Sequence, residues 1–358
     1  MKRILSARRS RLLLTAASTL LALGLLEGAL RLAPVFMGEP ARSFLVEAAQ
    51  FRLSNLRSYP GDIPIRIPPP QQADILVVGD SVPFGMMVRQ ADIYPTLLGV
   101  ALRQNVVNLA SASQMPPAYN RMVEVGSQYR PGIVLYALFA NDFVYAEDVE
   151  PMPLDRSRAD DRLEGDDRLF FTRYGVSGMF LNTLRRVTNY SVSYALFKIS
   201  RQRQSVPETV EWWQSPTTFF LLTERSYWDA LVGWQDERVR RGTALTLRFI
   251  QEAHRFSTAD LAADFIVVLS PSKEMVYGPL TGPLRSRVYS ESWDRTFDQV
   301  ARRLSEAGIR VLDLRAALRL KAREGAKLYQ SIDGHFNVEG HQLVAQVLQR
   351  ELVRRYTH

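Results

Sequence analysis

The 358 residues include no cysteine and only four histidines, which excludes disulfide scaffolds, zinc ribbons, thiol nucleophiles and lipidated-cysteine anchors and makes a metalloenzyme a poor fit. With 46% hydrophobic and 23% charged residues, the chain has the composition of a folded protein with a sizeable core. Lys2, Arg3, Arg8, Arg9 and Arg11 supply five of the eight net positive charges, and no arginine-rich patch interleaved with aromatics follows, so nucleic-acid binding is set aside.

After those cations, residues 12–26 carry no charge, and the apolar character continues to Phe36 apart from Glu27 and Arg31. A spanning helix needs ~20 mostly apolar residues. Cations before the run, and none inside it until Arg31, predict a single-pass transmembrane anchor over residues 1–40. Its N-terminus lies in the cytoplasm and the rest of the chain in the periplasm or outside. Ala22 and Gly24 around Leu23 offer a signal peptidase its small-residue pattern, so a cleaved signal peptide is the alternative. Leu25, Leu26, Leu30 and Leu32 carry the apolar run past that site and favour the uncut anchor. Residues 41–72 read as a stalk, Arg-punctuated at first and then stiffened by Pro60-Gly61 and the prolines of 64–70.

From Asp74 the pattern becomes strand and helix in alternation. Strands are predicted at 75–78, 106–109 and 133–139, with helices near 94–104 and 118–129. The alternation resumes with a helix at 243–255, a strand at 265–269, a helix near 293–307, a strand at 310–314 and a last helix at 338–355. Short continuous apolar strands between helices predict a buried, mostly parallel five-stranded sheet in a three-layer, doubly wound α/β sandwich. This domain takes residues 73–142 and 243–358, interrupted by an insertion at 143–242. The insertion opens with an acidic loop at 147–167 and continues with a helix bearing Val176, Phe180, Leu184, Val187, Tyr190, Tyr194 and Phe197 on one face. Its aromatics Trp212, Trp213, Phe219, Phe220, Tyr227, Trp228 and Trp234 suit a core, a carbohydrate groove or a membrane interface. Because it leaves the sheet directly after Asn141-Asp142, the insertion is expected to cap the pocket.

Ligands in open α/β sheets bind outside the carboxyl ends of the strands. Three such ends carry chemistry: Gly79-Asp80-Ser81, Asn141-Asp142 and Asp333-Gly334-His335-Phe336-Asn337. A serine hydroxyl becomes a useful nucleophile when a histidine takes its proton, and a carboxylate fixes that histidine's tautomer. His335 is the one histidine on such a loop. His254 falls in a helix, His341 reads as packing a helix face, and His358 is terminal. Asp80 reads as the cap of the following helix and Asp142 as a loop anchor. Phosphate loops, dinucleotide fingerprints, zinc-protease helices and the Gly-x-Ser-x-Gly elbow are absent, and neither cofactor nor metal is implied.

These three blocks, in this order, resemble those of the SGNH hydrolases, also called GDSL-type lipases and esterases. The resemblance implies a flavodoxin-like SGNH fold. It also implies Ser81 as nucleophile, His335 and Asp333 as base and acid, and an oxyanion hole made by the Ser81 amide, the Asn141 side chain and a third donor. The family presents that third donor on a glycine, whereas this chain reads Leu109-Ala110-Ser111-Ala112-Ser113 after Asn108; Ser113 is the positional choice. Ala140 likewise stands where many relatives carry glycine. A single residue separates Asp333 from His335 where two are usual. That spacing, and the segment Pro271-Ser272-Lys273-Glu274-Met275-Val276-Tyr277, are similar to the hydrolase-like proteins that O-acetylate alginate. The resemblance covers both parts of the core domain and skips anchor, stalk and insertion. It implies an extracytoplasmic serine ester hydrolase or O-acyltransferase on acyl, foremost acetyl, esters of glycans. Water as acceptor gives an esterase and a sugar hydroxyl a transferase. The expected partners are an acylated carbohydrate or other ester and the membrane. The alternative is a catalytically inactive SGNH-fold glycan-binding or assembly subunit, favoured by the irregular second block and opposed by the intact Ser-Asp-His set.

Overall fold

The computed structural model describes residues 18–19, 21–29, 32, 72–86, 88–111, 114–144, 153–154, 212–214, 219–221, 236–281, 285–330 and 334–356. In chain order the elements are β1 (Ile75–Val78), α1 (Ser81–Phe84), α2 (Tyr94–Leu102), β2 (Val106–Asn108), α3 (Pro116–Gly126), β3 (Ile133–Phe139) and the short strands β4 (Trp212–Gln214) and β5 (Phe219–Leu221). There follow α4 (Glu237–Arg255), β6 (Asp264–Ser270), α5 (Lys273–Tyr277), α6 (Arg285–Glu306), β7 (Arg310–Asp313), α7 (Arg315–Arg323) and α8 (Val338–Tyr356).

Five strands form one sheet in the order β2-β1-β3-β6-β7, and every neighbouring pair is parallel. The fold is therefore α/β with an all-parallel sheet, where the sequence predicts a mostly parallel one. Every side chain of β1 and β3 is buried, as a sheet covered on both faces requires. The pleat sends alternate residues to opposite faces. Leu76, Val78, Val134, Tyr136 and Val267 pack with Tyr119, Ile250, Trp293 and Phe297 of α3, α4 and α6. Ile75, Val77, Leu135, Ala137 and Val268 pack with Tyr94, Leu98, Leu318, Val344 and Leu348 of α2, α7 and α8. The strand order reverses between β1 and β3, and in this topology that point opens a crevice at the carboxyl edge.

The helices differ from the sequence reading in two ways. First, α1, α5 and α7 are additional: α1 and α5 have four and five residues, below the length at which a helical period shows, and α7 is a nine-residue, Arg- and Lys-rich helix. Second, two helices begin earlier than the sequence reading has them: α6 at Arg285 rather than near 293, and α4 at Glu237 rather than 243, capped by Asp236, which accepts from the Arg238 amide at 2.8 Å. The first turns of α4 are charged apart from the buried Val239, so they show no apolar period.

Residues 21–29 are helical with Leu21, Leu23, Leu25 and Leu26 exposed. Among the described residues, no helix is long and apolar enough to cross a membrane. In the insertion, β4 and β5 pair antiparallel, Trp213 opposite Phe220. The rest of the apolar run, the stalk up to residue 71, the acidic loop apart from its Pro153 and Leu154, the helix from Val176 to Phe197, and Tyr227, Trp228 and Trp234 lie outside the described residues.

Candidate active site

The first block leaves β1 through Gly79, at φ 156°, where a Cβ would fall 2.7 Å from the Ala137 carbonyl oxygen and 2.6 Å from Pro83 Cγ. Only glycine lets this turn lie directly against β3. Asp80 then caps α1, its Oδ1 accepting from the Val82 amide at 2.9 Å, as expected of a cap. Ser81 opens the helix half-buried, and its amide bonds to no other described residue. Its Oγ lies 2.7 Å from Nε2 of His335, a residue 254 positions later in the chain.

The second block braces this turn. Asn108, the last residue of β2, donates from Nδ2 to the Pro83 carbonyl at 2.8 Å and accepts the Ala110 amide on Oδ1 at 3.1 Å. Leu109 donates its amide to Val77 and Ser111 to Gly79. The amides of residues 109 to 111 are thus all engaged, and any backbone donor of this block lies beyond them. Ser113 lies outside the described residues, as does Asp333. Asn108 went unassigned in the sequence; the available signal was a polar side chain at the carboxyl end of an apolar strand.

Asn141 sits in the 3-10 turn Ala140–Phe143 directly after β3. Its Oδ1 is buried without a partner, and its side chain bonds to no other described residue. Asp142 holds the turn in place: its Oδ2 accepts the Phe139 amide at 2.8 Å, its Oδ1 the Tyr119 hydroxyl at 2.7 Å, and its carbonyl the Thr246 hydroxyl at 2.7 Å. Burial, and then the charge of Asp80, keep the Asp142 carboxyl well above the usual carboxylate range. Burial also raises Asp80, opposed by its bond to the Val82 amide and by the charge of His335.

His335 lies between α7 and α8. The Gln330 amide donates to the His335 carbonyl at 2.9 Å, and Tyr329 bridges Phe336. Asn337 ties off the far side, donating from Nδ2 to the Lys327 carbonyl at 2.6 Å and accepting the Gly340 amide at 2.9 Å. His341 packs a helix face as predicted, buried, accepting the Tyr94 amide on Nδ1 at 3.2 Å. His254 packs edge-on against Phe265, and burial lowers its pKa. Among the described residues no acidic and histidine side chains group to hold a metal ion. Ser81, Asn141 and His335 thus share the carboxyl edge of the sheet, Ser81 and Asn141 just after the two strands that flank the reversal.

Residues 239–357 match the family model for the SGNH hydrolase-like domain, acetyltransferase AlgX. No curated protein matches the chain. Among solved structures, a lipolytic protein of the G-D-S-L family from Veillonella parvula DSM 2008 is 11% identical, with 78% of this chain and 98% of that one covered at a TM-score of 0.40. A protein from Streptococcus pneumonia named for platelet activating factor is 10% identical, with 86% and 94% covered at a TM-score of 0.38. Both likenesses are too distant to speak to activity. The segment that supplies β6, β7 and His335 is thus similar to the SGNH hydrolase-like domain of the acetyltransferase AlgX.

Proposed function

We propose that this chain is a membrane-anchored, extracytoplasmic serine ester hydrolase or O-acyltransferase acting on acyl, foremost acetyl, esters of glycans. The observation that carries the reading is the 2.7 Å approach of Ser81 Oγ to His335 Nε2 beside the reversal point of the sheet. The match to an acetyltransferase domain and the one-residue spacing of Asp333 and His335 support acetyl esters of glycans. The five N-terminal cations ahead of an apolar run, and the exposed leucines at 21–26, support the anchor and its orientation.

Ser81 Oγ attacks the ester carbonyl carbon while its proton passes to His335 Nε2, and the carbonyl π pair moves onto oxygen. The resulting oxyanion is held by the Ser81 amide, Asn141 Nδ2 and the Ser113 amide. The intermediate collapses with loss of the alkoxide, which takes the proton from His335, and acyl-Ser81 remains. Water or a sugar hydroxyl then gives its proton to His335 as it attacks the acyl carbon, and Ser81 departs with that proton. Nε2 must begin unprotonated, so Nδ1 carries the hydrogen, and Asp333 is assigned to accept the hydrogen bond from Nδ1–H, which stays on the imidazole.

The test is hydrolysis of a short-chain acyl ester by purified wild type, Ser81→Ala, His335→Ala and Asn141→Ala. The first two variants are expected to stay folded and lose roughly 10³-fold or more, because the two residues act as a unit. Asn141→Ala is expected to lose about 10²- to 10³-fold in turnover, as one missing oxyanion donor does. Substantial hydrolysis by folded Ser81→Ala defeats the assignment.

A further inference from the structure

The carboxyl end of β6 lies on the edge that holds Ser81 and Asn141, and it leads directly into α5, every residue of which is buried. Its first residue, Lys273, is 0% exposed. An enclosed ammonium costs several kcal/mol in desolvation, and an apolar residue of similar shape is often as stable or more so. What the charge holds is therefore informative. Lys273 Nζ donates to the Gln330 carbonyl at 3.0 Å. Gln330 is the residue at which the chain turns into the His335 loop, and its own amide closes that loop by donating to the His335 carbonyl at 2.9 Å. His335 is thus one residue and two hydrogen bonds away from the buried ammonium.

The rest of α5 is fixed to the same stretch of chain. Tyr329 donates its hydroxyl to the Pro271 carbonyl at 2.7 Å, and Tyr277 accepts the Leu328 amide at 3.0 Å while donating to the Ala326 carbonyl at 2.6 Å. From outside, Arg319 grips the Met275 carbonyl at 2.9 and 2.6 Å. These contacts fix residues 326–329, short of the loop. The bond from Lys273 reaches its first residue, and bonds from a charged donor are roughly twice as strong as neutral ones.

We infer that Lys273 is a positioning residue for His335, holding the loop so that Nε2 stays within reach of Ser81 Oγ; this rests on the ester-transfer reading above. Misplacement by about 1 Å costs up to about 10²-fold in rate, so a bond that fixes the start of the His335 loop has consequences for catalysis.

The experiment compares full-length wild type, Lys273→Met and Lys273→Gln for the rate at which a fluorophosphonate labels Ser81 and for kcat and KM on a small acyl ester. Met removes the donor, and Gln keeps a donor without the charge. Lys273→Met is expected to melt cooperatively, with labelling and kcat slowed by about 10- to 100-fold and KM changed by less than about twofold. Lys273→Gln is expected to fall between Met and wild type. A folded Met variant labelled at the wild-type rate overturns the inference, as does a Gln variant no faster than Met. Should Met not fold, Gln decides alone: slowed labelling in a cooperatively melting protein supports the inference, and the wild-type rate overturns it. Failure to label the wild type would sink the ester-transfer reading itself, and this inference with it.

Discussion

Asp142 follows Asn141, is fully enclosed and accepts from the Phe139 amide and the Tyr119 hydroxyl. Because burial and Asp80 raise its folded pKa, the folded state holds the Asp142 proton to higher pH than the unfolded chain does. The corresponding stability is complete below the unfolded carboxylate pKa of about 3.9 and is lost as pH rises through the folded value. Asp142→Asn keeps an acceptor for Phe139 and removes the ionisation, so the variant's melting temperature is expected to fall less steeply than that of wild type from about pH 4 upward. Melting scans across pH check this; a pH-independent difference between the two proteins would show that Asp142 does not titrate in that range. Ser81, Asn141 and His335 were legible in the sequence because each is a polar residue set at the end of an apolar strand or on a loop entering a helix. Lys273 was read only as part of a resembling segment, because the carbonyl it donates to, that of Gln330, lies 57 positions away in the chain.

At the scale of elements, α4 seats the Asn141 turn. Gly242 meets it so closely that a Cβ would fall 2.1 Å from the Phe143 carbonyl oxygen, and one turn later Thr246 donates to Asp142. A methyl group there presses on backbone, which has no rotamer with which to yield. Gly242→Ala is expected to lose about 1 to 3 kcal/mol of stability by overpacking and to lower turnover on the acyl ester by displacing Asn141, with melting and steady-state kinetics as the measurements. Wild-type turnover would show that the turn absorbs the methyl group without moving Asn141. The strands of the sheet were predicted to within about a residue because they are apolar runs closed, at their last residue or within the next two, by Gly, Pro, Asp or Asn. The helices were less legible: α5 is buried on all sides and too short for a period, and the first turns of α4 are charged.

For the molecule as a whole, the strand order joins what the insertion separates. β3 lies before it and β6 after it, yet the two pair along their whole length from Ile133 opposite Asp264 to Phe139 opposite Ser270. That register helps bring Ser81, before the insertion, within 2.7 Å of His335, after it, an approach that a linear pattern does not reveal and that the resemblance to a known family pointed to. The proposed anchor belongs to this scale too. Reporter fusions after residue 60 are expected to be active only where export activates them, and carbonate washing is expected to leave the protein on membranes. A soluble mature form beginning near Leu25 would establish the cleaved signal peptide instead.

The central claim is that His335 activates Ser81. The most direct measurement is fluorophosphonate labelling of the full-length protein, with the modified residue located by mass spectrometry, in wild type and His335→Ala. An adduct on Ser81 is expected in wild type, with its loss or severe slowing in the variant. An adduct on a different serine, or equal labelling of both proteins, would contradict that claim.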